Sequence, residues 1–225
     1  MKKFLVIITI LLTTNVLAHI DHYKKYNKIE MDIFRNGELI GYNYYFFTRK
    51  GDETLVTNQI KFSVKILGAT IFQIEGYGEE KYIKDQLISY KSKTLQNDKE
   101  KFVNLIFNED KNKFDIKGSS YSGEASINNI VGNWWSHKIL QADSQVSPIS
   151  GSIKEQIVTF VGKEKIEQFG KNYEVDRFKL TSKDMSLPKD KLLDFDIWFD
   201  KKSSMIIRVS YSRMGNWEYR LKNFE

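Results

Sequence analysis

The sequence of 225 residues contains no cysteine. Disulfides, thiolate zinc sites, cysteine-ligated iron–sulfur clusters and a cysteine nucleophile are therefore excluded. The same absence excludes the lipid-modified N-terminal cysteine of a bacterial lipoprotein. A single domain of this length is stable without disulfides, because it buries about 70% of its unfolded surface on folding.

Arginine is scarce as well, since only 6 of the 35 basic residues are Arg. The lysines are spread along the whole chain among acidic residues. Nucleic-acid-binding surfaces cluster their charge and use Arg for bidentate base contacts. We therefore interpret the net charge of +6 as a solvated lysine surface and expect no nucleic-acid partner.

Long apolar runs are absent beyond the N-terminus. Met1-Lys2-Lys3 forms a short basic region, residues 4–12 are apolar, and Val16-Leu17-Ala18 is an acceptable cleavage site. This pattern predicts a signal peptide at 1–18 and a single β-rich domain at 19–225, periplasmic in a Gram-negative bacterium or secreted. The alternative is an uncleaved anchor, but the apolar run is shorter than the roughly 20 residues that span a bilayer. No later segment is expected to span a membrane.

Apolar and polar residues alternate along much of the remaining chain. In residues 58–67, Ile60, Phe62 and Val64 alternate with polar residues, which predicts an antiparallel strand with one buried face. Asn36-Gly37 predicts a type I′ hairpin turn. Further strands are predicted at 29–33, 39–48, 70–78, 87–95, 101–108, 114–117, 157–161, 173–181, 195–199, 205–212 and 217–221. Short turns between them favour an antiparallel meander.

One stretch breaks this alternation. In residues 129–141, Trp135 and Ile139 have helical spacing, which predicts a short helix. The serine-rich residues 143–152 predict a loop. The expected fold is therefore mainly all-β: a curved antiparallel sheet, or a half-open barrel or meander, with one short helix.

Three segments resemble exported bacterial proteins of domain of unknown function 6134, to which domain of unknown function 3108 is related. Residues 34–41 look like the first hairpin of that family. Asn133-Trp134-Trp135 looks like its Trp/Asn loop, although the order of residues differs here. Residues 196–200 and 205–209 look like its final hairpin. The resemblance implies an exported protein with a curved antiparallel sheet, comparable in outline with periplasmic lipoprotein carriers. It implies no activity, because the function of the family is not established.

Catalytic and metal-binding motifs are missing. There is no Gly-x-Ser-x-Gly elbow, and residues 118–123 have the spacing of a glycine–serine turn. His137 has no acidic residue close in sequence, and the segment His19-Ile20-Asp21-His22, which could bind copper, nickel or zinc, is interpreted as a chain end. Asp194, Asp196 and Asp200 are interpreted as the wet face of a strand. We expect no catalytic residue, no metal and no cofactor.

The aromatic residues suggest a ligand site. Tyr44 and Phe46 belong to a strand that is apolar on both faces, so a helix, a second sheet layer or a ligand should cover the second face. Trp134 and Trp135, followed by His137, could close the mouth of a curved sheet. These five residues are the candidate binding site for a lipid or other hydrophobic small molecule, and ordinary core aromatics are the alternative.

The sequence therefore favours a non-catalytic binding or carrier module for an apolar ligand or an envelope protein. Two alternatives remain open. One is an envelope scaffold whose sheet edge pairs with another protein. The other is an envelope hydrolase that uses carboxylates and His137.

Overall fold

A computed structural model describes residues 23–225. The predicted signal peptide and the His19–His22 segment lie outside these residues. Between residues 23 and 225, no helix is long and apolar enough to cross a membrane. The strands are β1 (Lys28–Arg35), β2 (Glu38–Lys50), β3 (Glu53–Ile66), β4 (Ala69–Ile83), β5 (Gln86–Gln96), β6 (Lys99–Asn108), β7 (Lys113–Gly118), β8 (Ser122–Ser126), β9 (Ile130–Val131), β10 (Ser144–Val146), β11 (Ile153–Gln168), β12 (Lys171–Ser182), β13 (Asp194–Asp200), β14 (Met205–Ser212) and β15 (Asn216–Phe224).

All these strands belong to one sheet of 15 strands, in the order β8-β7-β6-β5-β4-β3-β2-β1-β15-β14-β13-β12-β11-β10-β9. Most neighbours are consecutive in the chain and antiparallel, which confirms the predicted meander. The first and last strands, β1 and β15, pair at the centre and join an N-terminal half to a C-terminal half. Only β9 and β10 pair in parallel in the described chain.

The two edges of the sheet lie close together although they do not pair. The edge strands β8 and β9 are separated in the chain by residues 127–129 alone. Four residue steps span at most roughly 14 Å, so the sheet must curl until its edges nearly meet. This is the expected half-open barrel, with one side left unclosed.

The first hairpin has the turn that the sequence predicts. Asn36 and Gly37 have φ angles of 51° and 85°, as a type I′ turn requires at both central positions. Beyond the turn the register changes, because Phe34 pairs with Leu39 whereas Ile33 pairs with Gly41. Ile40 is therefore the extra residue of a β-bulge.

Residues 127–152 run through the inside of the curved sheet and are called the interior segment here. The predicted helix over 129–141 is largely absent. Its first part forms β9, and only His137–Leu140 form a helical turn, of the 3-10 type. The predicted loop over 143–152 contains β10. The side-chain amide of Gln156 on β11 donates to the carbonyls of Ile139 and Ala142, both at 2.9 Å, so tertiary contacts hold this segment in its irregular path.

The interior segment also packs closely against the N-terminal half. The hydroxyls of Tyr90 and Ser92 on β5 donate to the Pro148 carbonyl at 2.9 and 2.7 Å. At Gly118 on β7, a Cβ atom would lie 2.6 Å from the Ser150 carbonyl oxygen, so only glycine permits this approach. The interior segment thus forms the central packing layer between the two halves of the sheet.

A second layer covers part of the outer face of the C-terminal half. The hairpin formed by β11 and β12 bends back over this face, and the Gln168 amide donates to the carbonyls of Ile207 on β14 and Leu221 on β15, at 3.0 and 2.8 Å. Val175 of the hairpin and Ile206 beneath it are both 2% exposed. The C-terminal half is therefore covered on both faces where this hairpin lies.

Candidate functional site

The curved sheet encloses a cavity of about 770 Å³ between its two halves. The N-terminal half contributes side chains from the inner face of β2 to β5, namely Asn43, Tyr45, Asn58, Ile60, Tyr90, Ser92 and Thr94. The C-terminal half contributes Phe195, Tyr211 and Tyr219. Trp134 and Ile149 of the interior segment line the cavity between them. Most of this surface is apolar, with a few amide and hydroxyl groups, which is typical of small-molecule sites.

The cavity exists because short side chains follow one another on the inner face of the N-terminal half. Gly76 on β4 pairs with Thr94 on β5, and Gly78 pairs with Ser92. Further along the same strands, Glu80 pairs with Tyr90, and these longer side chains reach the interior segment. The cavity therefore lies between the filled region at Glu80 and Tyr90 and the buried side chains of Phe62 and Ile74 further along the sheet.

Trp134 and Trp135 face different parts of the interior. The Trp134 ring lines the cavity and packs edge-on against Phe195, with ring centroids 5.1 Å apart. Its backbone N–H donates to the Tyr45 hydroxyl at 3.2 Å. Trp135 does not line the cavity and is 2% exposed. Its ring contacts Tyr23 edge-on at 5.1 Å.

A buried carboxylate, Glu80 on β4, anchors this part of the interior segment. Its Oε1 accepts hydrogen bonds from Asn133 Nδ2 at 2.6 Å and Trp135 Nε1 at 2.8 Å. Its Oε2 accepts from the Tyr82 hydroxyl at 2.5 Å. Burial raises the pKa of Glu80 above its ordinary value, although these three hydrogen bonds and the more distant Lys138 oppose the increase.

His137 lies at the far side of the interior segment and does not line the cavity. Its Nδ1 is 2.8 Å from the Tyr23 hydroxyl, and its ring lies 5.3 Å from that of Phe199. This position suits a role in holding the interior segment against the N-terminal residues.

Tyr44 and Phe46 lie on the outer face of the sheet, away from the cavity. The Tyr44 ring stacks on Tyr42 at 4.5 Å, and the Lys28 ammonium lies over Tyr44 and Phe46 at 5.4 and 5.5 Å. Both aromatic side chains are half-buried, so no second layer covers this face of β2.

The bulge at Ile40 explains why these two side chains point outward. In an unbulged hairpin, Ile33 would pair with Ile40, and Tyr44 and Phe46 would share the buried face of β1. A one-residue shift moves every later side chain to the other face. Asn43 and Tyr45 are turned inward instead. The alternation of the sequence does not predict that Asn43 and Tyr45 face inward. The Ile40-Gly41 pair after a type I′ turn does indicate a bulge, because a glycine inside a strand often marks one.

No cluster of potential metal ligands is found in the part of the chain that the structure describes. Residues 23–225 contain no group of three or more His, Asp or Glu side chains placed to hold a metal ion. Asp194 and Asp196 do share a strand face, as alternation predicts, and both pair with Lys179 Nζ, at 2.6 and 3.0 Å. Asp200 instead accepts from the Ser203 hydroxyl in the following turn, at 2.6 Å.

The rim of the cavity is formed by two connections of the C-terminal half. Lys189, Asp190 and Leu192 come from the long loop between β12 and β13. Arg213 and Met214 come from the turn between β14 and β15. Met214 is 84% exposed, which is unusual for so large an apolar side chain beside an apolar cavity.

The sequence matches the family model described as Domain of unknown function (DUF6134) over residues 31–222. The chain belongs to this family, as the three resembling segments predict. No curated protein matches the sequence at a significant level.

Solved structures with a similar fold are distant in sequence. A β-barrel-like protein of domain of unknown function DUF1849 from Brucella abortus has a TM-score of 0.60 at 8% identity, covering 88% of this chain and 96% of its own. A protein with a YmcC-like fold from Bacteroides fragilis has a TM-score of 0.36 at 9% identity, covering 88% and 94%. A DUF1329 family protein from Desulfovibrio piger has a TM-score of 0.25 at 10% identity, covering 92% and 88%. The first of these likenesses supports the curved, barrel-like fold and nothing further.

Proposed function

We propose that this protein is an exported, non-catalytic binding module that holds a small apolar molecule in the cavity between the two halves of its sheet. The observation that carries the proposal is the cavity of about 770 Å³, which lies within the range of roughly 300–1,000 Å³ found for small-molecule sites. Its walls are aromatic and aliphatic, with few polar groups to fix an orientation.

The proposed location rests on the sequence. The basic, apolar and small-residue parts of residues 1–18 have the order of a secretory signal. Removal of these residues would leave a mature chain that starts at His19, in the periplasm or outside the cell. The absence of cysteine is compatible with that compartment, because a domain of this size is stable without disulfides.

The arrangement of Trp134 favours binding over a purely structural role for this residue. A tryptophan that only completes a core is covered on both faces, whereas Trp134 contacts Phe195 on one side and faces the cavity on another. Tyr45, Tyr90 and Tyr219 add further apolar surface with hydroxyl groups already engaged or buried. A ligand with a long apolar part would be recognised by contact area and shape.

The test is purification of the full-length product from a periplasmic extract without detergent, followed by native mass spectrometry. We expect an intact mass that starts at His19 and a discrete hydrophobic molecule that leaves on extraction with organic solvent. A mass that retains residues 1–18 would contradict the proposed export, and a ligand-free protein that also fails to bind added hydrophobic probes would contradict the binding function.

A matched pair of variants assigns the ligand to the cavity. Ile60→Trp places a larger ring in the cavity from the inner face of β3, whereas Ile106→Trp makes the same change at an exposed position of β6. We expect the first variant to lose the bound molecule and the second to keep it, with both folded by circular dichroism. Equal retention by the two variants would place the ligand elsewhere.

A further inference from the structure

The rim of the cavity carries an excess of positive charge. Lys189, from the loop between β12 and β13, and Arg213, from the turn between β14 and β15, line the cavity there. Lys154 of β11 and Lys191 of the same loop lie beside Arg213 without lining the cavity. Lys154 Nζ donates to the Lys191 carbonyl at 2.8 Å, and Arg213 Nη2 donates to the Leu192 carbonyl at 3.0 Å. These two bonds fix the loop beside the cavity and bring its cations together.

The four cations of this rim outnumber the carboxylates beside them. Within residues 23–225, none of the four forms an ion pair at 4.0 Å or less. Two carboxylates line the same region, Asp190 and Asp194, but Asp194 is already paired with Lys179 at 2.6 Å. The pKa of Lys154 lies below its ordinary value, first because it is half-buried and then because Arg213 and Lys191 repel its charge, while the attraction of Asp190 opposes the decrease.

Lys189, Lys191 and Arg213 are exposed to solvent, which screens much of their mutual repulsion, and Lys154 is half-buried. Four positive charges beside two carboxylates still give this rim a positive potential, which attracts an anion. The apolar wall of Trp134 and Phe195 leads from this rim into the protein. The two surfaces together match a molecule with an anionic head and an apolar chain.

We propose that the ligand is an anionic amphiphile, with its apolar chain in the cavity and its carboxylate or phosphate head at the rim formed by Lys154, Lys189, Lys191 and Arg213. This inference rests on the proposed function and adds the chemical class of the ligand. Carboxylate and phosphate heads share the chemistry that these cations recognise, because both accept charge-assisted hydrogen bonds from lysine and arginine.

The test compares probes of one chain length that differ only in the head. Binding of hexadecanoate, hexadecyl phosphate, hexadecanol and hexadecyltrimethylammonium is measured by displacement of a fluorescent hydrophobic probe from the delipidated mature protein. We expect both anions to bind at least about tenfold more tightly than the neutral alcohol, and the cation to bind most weakly. The preference for anions should decrease as the salt concentration is raised, because salt screens exposed charges.

Variants assign this preference to the rim. The double variant Lys189→Gln with Arg213→Gln should lose about tenfold in affinity for hexadecanoate and keep its affinity for hexadecanol. Arg213→Lys keeps the charge and should retain most of the preference. Lys165→Gln with Lys171→Gln removes two charges from the exposed β11–β12 hairpin, far from the cavity, and should change neither affinity.

The outcomes separate the two proposals. If hexadecanol and hexadecanoate bind equally well to the unaltered protein, the cavity binds apolar ligands and the anionic class is wrong. If the preference for anions survives in the Lys189→Gln, Arg213→Gln double variant, the rim is not the head-group site. If none of the four probes binds, the proposed binding function itself fails.

Discussion

The two tryptophans of the interior segment are neighbours in sequence and differ in what surrounds them. Trp135 is enclosed by the rings of Tyr23 and Phe47 and donates to a buried carboxylate on β4. Trp134 packs on Phe195 and lies 6.2 Å from the Tyr219 ring, and it also lines the open cavity. Trp135 therefore belongs to a filled part of the core, whereas Trp134 borders a hollow part. The comparison predicts that substitutions at these adjacent residues change stability and probe affinity to different degrees.

The largest effect is expected in the filled part of the core. Trp135→Ala removes a fully buried ring, and such truncations destabilise proteins by about 3–5 kcal/mol. It also leaves the Glu80 carboxylate with one donor fewer. Urea unfolding followed by circular dichroism measures the loss. A destabilisation no larger than that of Trp134→Ala would remove the distinction between the two tryptophans.

Loss of the carboxylate itself should rank second. Glu80→Ala leaves the donors of Asn133, Trp135 and Tyr82 without their acceptor in the interior. Each unsatisfied buried donor costs about 1–3 kcal/mol. Water that enters the space left by the side chain would satisfy part of these donors, so we expect a loss of about 2–3 kcal/mol in unfolding free energy. The matched control is Glu79→Ala on the outer face of the same strand, where the side chain is half-buried and accepts a long hydrogen bond from the Tyr77 hydroxyl, at 3.4 Å. It should change the unfolding free energy by less than about 0.5 kcal/mol. Similar losses in both variants would contradict the anchoring role of Glu80.

Trp134→Ala should show a smaller loss of stability and a larger loss of binding. We expect about 1–2 kcal/mol in unfolding free energy, because the ring is only half-buried. The affinity for a hydrophobic probe should fall by at least about tenfold, since a wall of the cavity is removed. Probe titration and urea unfolding on the same sample measure both quantities. Unchanged probe affinity would show that Trp134 is part of the core alone.

The smallest effect is a pH dependence. The pKa of Glu80 is raised in the folded state, so its contribution to stability is fully present below the unfolded pKa, near 4.5, and is lost as the pH rises through the folded value. Glu80→Gln keeps one oxygen that can accept from Asn133 and Trp135, presents an NH2 group to which the Tyr82 hydroxyl can turn as acceptor, and does not titrate. The unfolding free energy of the unaltered protein, minus that of this variant, should therefore decrease as the pH rises above 4.5. A difference that stays constant over that range would mean that Glu80 titrates normally.

The strands of this fold could be predicted because their alternation and turns are local properties. Ile60, Phe62 and Val64 mark the buried face of β3, and Asn36-Gly37 forms the expected turn. The path of the interior segment could not be predicted in this way. Trp135 and Ile139 have helical spacing, but their positions are set by Glu80 and Gln156, which are distant in sequence.

The candidate site shows the same limit. Trp134 could be predicted because it lies outside the alternating pattern, so the buried face of a strand does not account for it. The structure places it in the cavity wall. The sequence predicts Tyr44 and Phe46 in the same site. The bulge at Ile40 instead turns these side chains to the outer face of β2, and Asn43 and Tyr45 point towards the cavity. Whether a side chain faces the cavity thus depends on one extra residue near the start of the strand. The ligand-binding roles of all these residues remain predictions.

The pairing of β1 with β15 has a consequence for how the protein folds. These strands contain residues 28–35 and 216–224, so the centre of the sheet forms between the first and last parts of the described chain to be synthesised. The hairpins of the N-terminal half can form from local contacts, but β1 keeps one unpaired edge until residues 216–224 pair with it. A chain without residues 216–224 would therefore expose a strand edge prone to aggregation and could not join the two halves of the sheet.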